Sequence, residues 1–165
     1  MDALDGRHAL VGSVGALHVS WMTEDSPVDV AVPKGDEPLL AQSIEASLTV
    51  ADVRRSADWY RDVLGFTIAR EFERGGKLLA VSLRAGAIRL LVTQDDGGRG
   101  VDRPKGEGFS LQITTPQNID ALAGRARRAG AALEAEPADA WGVRVFRLRD
   151  PDGFRLVVSS PREAY

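Results

Sequence analysis

The sequence predicts an α+β fold in which two tandem βαβββ modules form curved mixed sheets around a cup, preceded by an N-terminal extension. Three observations predict it. Blocks of residues recur at a nearly constant offset, each module shows one helical period among strand-like alternations, and glycine or proline punctuates the joints. Ser47-Leu48-Thr49-Val50 returns as Ser110-Leu111-Gln112-Ile113, at an offset of 63. The helix stop at Gly65 returns at Gly130, and Leu83-Arg84 returns as Leu148-Arg149, both at 65. Ile88-Arg89-Leu90-Leu91-Val92 returns as Phe154-Arg155-Leu156-Val157-Val158, at 66. Four blocks at one spacing mean two copies of one supersecondary unit.

The elements follow in order. Residues 1–40 form the extension. His8 to Trp21 is apolar, broken by Gly12 and Gly15, and reads as one strand. Glu24 to Pro38 carries Pro27, Pro33 and Pro38 among acids and reads as an arm or linker. The domain proper runs from 41 to 165, with modules at about 43–94 and 108–160. In the first, Ile44–Val50 is a strand and Asp52 caps a helix over 53–64. Val53, Ala57, Tyr60 and Leu64 make its inner stripe, which places Trp59 and Tyr60 in core packing. Gly65 ends the helix in the left-handed conformation it tolerates best. Strands follow at Phe66–Phe72, Lys77–Arg84 and Ala87–Thr93. Residues 95–108, with five glycines, connect the modules. In the second, Phe109–Thr114 is a strand, and Thr115 caps a helix that opens on Pro116. Ile119, Leu122, Ala123 and Ala126 form its inner stripe. Arg125, Arg127 and Arg128 read as its solvated face. Strands follow at Ala132–Glu136, Val143–Arg149 and Phe154–Ser159. Asp150-Pro151-Asp152-Gly153 is a turn between the last two.

Alternation divides the strands into two faces. One face is apolar throughout: Ile44, Ala46, Leu48 and Val50; Ile88, Leu90 and Val92; Phe109, Leu111 and Ile113; Phe154, Leu156 and Val158. It packs under the helices. The other carries Glu45, Ser47 and Thr49; Arg89, Leu91 and Thr93; Ser110 and Gln112; Arg155, Val157 and Ser159. A cup lined by these side chains suits a polar or mixed small organic molecule. Glu45 between Arg89 and Arg155 reads as an ion-pair partner, or as a general base or an anchor for a cation.

Composition narrows the function classes. The 165 residues carry a net charge of −3, which argues against a nucleic-acid partner. There is no cysteine, hence no disulfide and no thiolate chemistry. No apolar run is long enough to span a membrane. The first residues, with Asp2, Asp5 and Arg7, make a poor signal peptide, so a cytoplasmic protein is expected.

The residues also carry a resemblance. Glu45-Ala-Ser-Leu-Thr-Val-Ala-Asp52, with Ser56, Trp59-Tyr60 and Val63-Leu64-Gly65-Phe66, resembles the opening of a vicinal oxygen chelate module. Asp150-Pro-Asp-Gly153 followed by Phe154-Arg155-Leu156 resembles its close. That superfamily includes glyoxalase I, bleomycin-resistance proteins and extradiol dioxygenases. Its enzymes hold a divalent metal at four positions, on the first and fourth strand of each module, through His, Glu or Gln. Those positions fall here on Glu45, on Arg89 or Leu91, on Gly108 and on Val157. Only Glu45 can ligate, so no metal and no cofactor is expected. The histidines, His8 and His18, lie in the extension.

Trp141-Gly142-Val143-Arg144-Val145-Phe146 is similar to a stretch common in bleomycin-resistance-type proteins, which sequester a drug in a groove at a dimer interface. The resemblance thus implies a homodimer that binds a small molecule, such as an antibiotic, through Glu45, Ser47, Arg89, Leu91, Ser110, Gln112, Trp141, Arg155 and Val157. Trp141 is read either as the stacking surface of that groove or as a core or hinge aromatic. The alternative is a glyoxalase-like lyase, isomerase or epimerase acting on a small carbonyl compound, with Glu45 as catalytic base and Arg89 or Arg155 holding an anion.

Overall fold

The computed structural model describes residues 42–100 and 103–161. The extension, with the strand and linker expected there and with His8, His18 and Trp21, lies outside these residues. Each module is βαβββ. The first comprises β1 (Ala46–Val50), α1 (Val53–Trp59), continued by a π-helical turn Tyr60–Leu64, β2 (Thr67–Arg74), β3 (Lys77–Ala85) and β4 (Ile88–Gln94). The second comprises β5 (Ser110–Thr114), α2 (Ile119–Arg128), β6 (Leu133–Ala140), β7 (Val143–Arg149) and β8 (Arg155–Pro161). The sheet orders β1-β4-β3-β2 and β5-β8-β7-β6 are copies of each other. In each, the first strand runs parallel to the last and the other neighbours are antiparallel.

Local chemistry sets the helix ends. Asp52 caps α1, its carboxylate accepting from Arg55 N at 2.9 Å. Gly65 closes the π turn at φ +77°, a conformation costly for any residue with a Cβ. A Cβ there would also meet the Arg125 guanidinium at 2.8 Å. The second cap differs from expectation. Asn118 caps α2, accepting from Ala121 N at 2.9 Å, and the helix starts at Ile119. Thr115 instead accepts from Gln117 N at 3.2 Å in a separate turn. The amide side chain won because it sits three residues before the donor it must reach.

One core joins the modules. Leu48, Val50, Tyr60 and Val92 from the first pack in one cluster with Ile119, Phe146, Leu148 and Leu156 from the second. The apolar face runs out at the strand ends. Ile44 is 98% exposed and Phe109 44%, both ahead of their strands, and Ile88, the first residue of β4, is 45% exposed. Tyr60 is fully buried, and Trp59 is half-buried with its ring edge-on to Tyr60 at 5.1 Å. Arg125 is not solvated as expected. It crosses from α2 to donate to the carbonyls of Val63 and Leu64, satisfying the open end of the π turn. Arg127 and Arg128 do face outward.

The Asp150–Gly153 turn locks the modules from the other side. Tyr60 donates its hydroxyl to Asp150 at 2.9 Å in a buried contact. Asp152 accepts from Ala51 N at 2.6 Å and from the Ser56 hydroxyl at 3.2 Å. Asp150 also takes the amides of Asp152 and Phe154, which holds its own turn closed.

Candidate ligand-binding site

Register places the polar-face residues. On the first sheet Ser47 lies opposite Leu91 and Thr49 opposite Thr93. Glu45 lies just before β1, one residue ahead of the first registered pair, Ala46 with Leu90. Ser82 and Leu91 are neighbours across β3 and β4, both buried, and floor this face. Arg70 lies over the Phe72 ring at 5.0 Å. On the second sheet Ser110 lies opposite Arg155 and Gln112 opposite Val157, and Gln112 donates to the Ser110 hydroxyl at 3.0 Å.

The expected site residues therefore form two groups. Ser47, Arg89 and Leu91 share the first sheet, with Glu45 immediately before its β1, and Ser110, Gln112, Arg155 and Val157 share the second. Trp141 joins neither. It is 94% exposed at the tip of the β6–β7 hairpin, which rules out the core reading. Ala140 pairs with Val143, so Trp141 and Gly142 are the two residues of the loop, at φ +54° and +78°. Such loops call for positive φ at both positions and favour Asn or Gly at the first.

Three residues of this face escaped the sequence reading as site members: Arg84, Arg149 and Glu134. Arg84 and Arg149 belong to the repeated Leu-Arg blocks, so the signal was present. Glu134 follows Leu133, which lies opposite core Leu148, so alternation puts it on the polar face; what the sequence did not show is that β6 brings it within reach of both arginines. Its carboxylate accepts from Arg149 Nε at 2.5 Å and from Arg155 Nε at 3.2 Å. Burial pushes its pKa up, but the hydrogen bond from Arg149 and the charges of both arginines outweigh that and leave it below the usual glutamate range. Beside this cluster opens a cleft of about 550 Å³, bounded by Arg149, Arg155, Ser110, Phe109 and the segment Lys105–Gly108. A second cleft of similar volume lies between the modules, walled by Arg55, Trp59 and Pro151.

The metal positions of the resembled enzymes can be tested on these side chains. Leu91 is buried apolar floor, Gly108 offers no side chain, and Val157 faces Gln112 with a branched hydrocarbon. The described residues hold no group of three or more His, Cys, Asp or Glu that could bind a metal ion. The donor set does not fit a divalent metal.

The family model described as Glyoxalase/Bleomycin resistance protein/Dioxygenase superfamily matches residues 42–158. The chain belongs to this superfamily. Among solved structures, it is similar to TnmS3, an antibiotic binding protein from Streptomyces sp. CB03234. Identity is 18% over 76% of this chain and 100% of that one, with a TM-score of 0.62. A virulence protein from Salmonella typhimurium gives 22% identity, 76% and 100% coverage, and a TM-score of 0.60. A glyoxalase/bleomycin resistance protein from the same Streptomyces gives 21%, 72% and 97%, and 0.55. At these identities the likeness carries the fold of the superfamily alone. Comparison with curated sequences gives no match. No helix among the described residues is long and apolar enough to cross a membrane.

Proposed function

We propose that this chain is a cytoplasmic small-molecule binding protein of the bleomycin-resistance type, which captures its ligand on the polar sheet faces without a metal. The observation that carries this reading is Trp141. An indole held almost fully in solvent, in a backbone conformation that costs a bulky residue about 1–3 kcal/mol, gains nothing for folding and offers a rigid stacking surface. A donor set unfit for metal supports binding over Lewis-acid chemistry at the same place. The antibiotic-binding neighbour makes drug-like organic molecules the first compounds to try. We assign the working form as a homodimer. In one chain Trp141 stands at the far end of β7 from Arg149, roughly 20 Å away at strand spacing, and a second copy supplies a wall between such separated parts.

The test is tryptophan fluorescence against a panel of planar and glycopeptide antibiotics, with sedimentation to read the oligomer. Saturable quenching that disappears in Trp141→Ala is the expected result. Quenching by no compound, or quenching unchanged in the variant, overturns the assignment. Added Mn²⁺, Fe²⁺, Co²⁺, Ni²⁺ or Zn²⁺ is expected to leave the melting temperature where it was. A rise of the size tight binding implies would instead favour a metalloenzyme.

A further inference from the structure

Both modules place two arginines directly opposite each other in an antiparallel ladder. Arg84 is registered with Arg89, and Arg149 with Arg155. Like charges so placed oppose folding. The pairs occupy matching places in the repeat, so both copies of the unit carry the same unfavourable feature, in a chain whose net charge is negative. The side chains sit on the exposed polar face rather than in the ion-rich surface around the helices. In the second module the repulsion is answered from within: Glu134 sits between Arg149 and Arg155, one oxygen to each. Arg149 Nη1 donates to Gly153 O at 2.7 Å. Among the described residues, Arg149 Nη2 and both Nη atoms of Arg155 have no hydrogen-bond partner, and both arginines line the cleft beside them. The Ser110 hydroxyl accepts from Gln112, so its proton is available to an acceptor. Lys105, on the rim, is committed to Asp95 at 2.9 Å and Asp152 at 3.5 Å. Phe109, 44% exposed and edge-on to Phe154 at 6.3 Å, gives the cleft one apolar wall.

We infer that this cleft binds an oxyanion, a carboxylate or a phosphate monoester attached to an apolar or aromatic body, with Arg149, Arg155 and Ser110 as its donors and Glu134 as the internal anion it displaces. The inference rests on the binding reading above and names the chemical class of ligand. Paired guanidinium groups present planar N–H donors suited to two oxygens of one group, which a single ammonium does not. An internal carboxylate on the same donors lowers the affinity for an external one, because only the fraction of molecules with Glu134 displaced is competent. Glu134 thus holds the arginines in place when no ligand is there and sets a threshold for the ligand that replaces it.

The experiment is amide NMR of the full chain titrated with benzoate, phenyl phosphate and benzylamine. Saturable shifts at Gly106, Gly108 and Ser110 are expected with the anions, and none with benzylamine. Benzoate against phenyl phosphate separates carboxylate from phosphate. Arg155→Gln is expected to weaken binding at least tenfold, and Arg155→Lys to restore it only in part. Glu134→Gln is expected to tighten it severalfold, and to lower the melting temperature in a way that added anion reverses. Equal shifts with benzylamine, or weaker anion binding in Glu134→Gln, overturn the inference. Two failures stay distinct. Compounds that quench Trp141 while no anion moves these amides leave the binding function standing and remove its anionic ligand. An absence of both removes both.

Discussion

Trp141 is the residue whose chemistry and backbone disagree most. A two-residue hairpin with positive φ at both positions is served best by Asn-Gly, and here it is Trp-Gly. Trp141→Asn is therefore expected to stabilise the fold by about 1 kcal/mol, read as a raised urea midpoint with unchanged slope. The same variant should lose ligand quenching, the stability–function exchange expected where strain serves a site. Trp141→Ala should leave melting within a few degrees of the parent, since no packing is lost at 94% exposure. Tyr60 makes the opposite case. Its hydroxyl is buried against Asp150, and both burial and that carboxylate drive its pKa upward. Tyr60→Phe keeps the ring packed on Trp59 and Phe66 but leaves Asp150 one donor short. A loss of about 1 kcal/mol is expected, again by urea titration.

The Asp150–Gly153 turn shows how a short element serves two modules at once. Gly153 has φ +93°, while a Cβ there would only touch Lys105 O at an ordinary 3.5 Å. The cost of Gly153→Ala is thus conformational, about 1–2 kcal/mol, and calorimetry should find it as a lowered melting temperature. This turn was legible in the sequence because Asp-Pro-Asp-Gly states its own backbone requirements. The βαβββ succession of elements, the Asp52 cap and the stops at Gly65 and Gly130 were legible from local signals of the same kind. Features set by distant partners were not. Arg125 left the solvated face to close another helix's end, and Glu134 found its two arginines on β7 and β8, while the local contest of Asn118 with Thr115 for the cap turned on fine geometry. The site was half legible on those terms. Alternation delivered Arg89, Arg155, Ser110 and Gln112 to the polar face, yet it said nothing of cross-strand register, which is what makes Arg149 and Arg155 a pair.

Across the whole molecule, one ion cluster ties the connector between the modules to the turn before β8. Asp95 follows β4, Arg103 and Lys105 lie in the connector, and Asp152 belongs to the turn before β8. The Lys105 bond, with the Gly97 amide, holds Asp95 down to about 2, well below an unfolded aspartate near 3.9. A carboxyl depressed in the folded state stabilises it at every pH above its unfolded value, and that contribution is lost as pH falls from about 4 through about 2. Asp150 works with the opposite sign. Burial raises its pKa despite the Phe154 and Asp152 amides and the Tyr60 hydroxyl, so its protonation favours the folded state in acid. Asp95→Asn should therefore be less stable than the parent at neutral pH, and the gap should close between about pH 4 and pH 2. Because one apolar cluster spans both modules, the loss should appear as a single transition, coincident by near- and far-ultraviolet circular dichroism. Two separated transitions would show that the turn and the ion cluster, rather than the shared core, are all that couples the repeats. A gap that persists to pH 2 would show instead that Asp95 stabilises the fold by something other than its charge, since the Asn oxygen still accepts from Gly97 N.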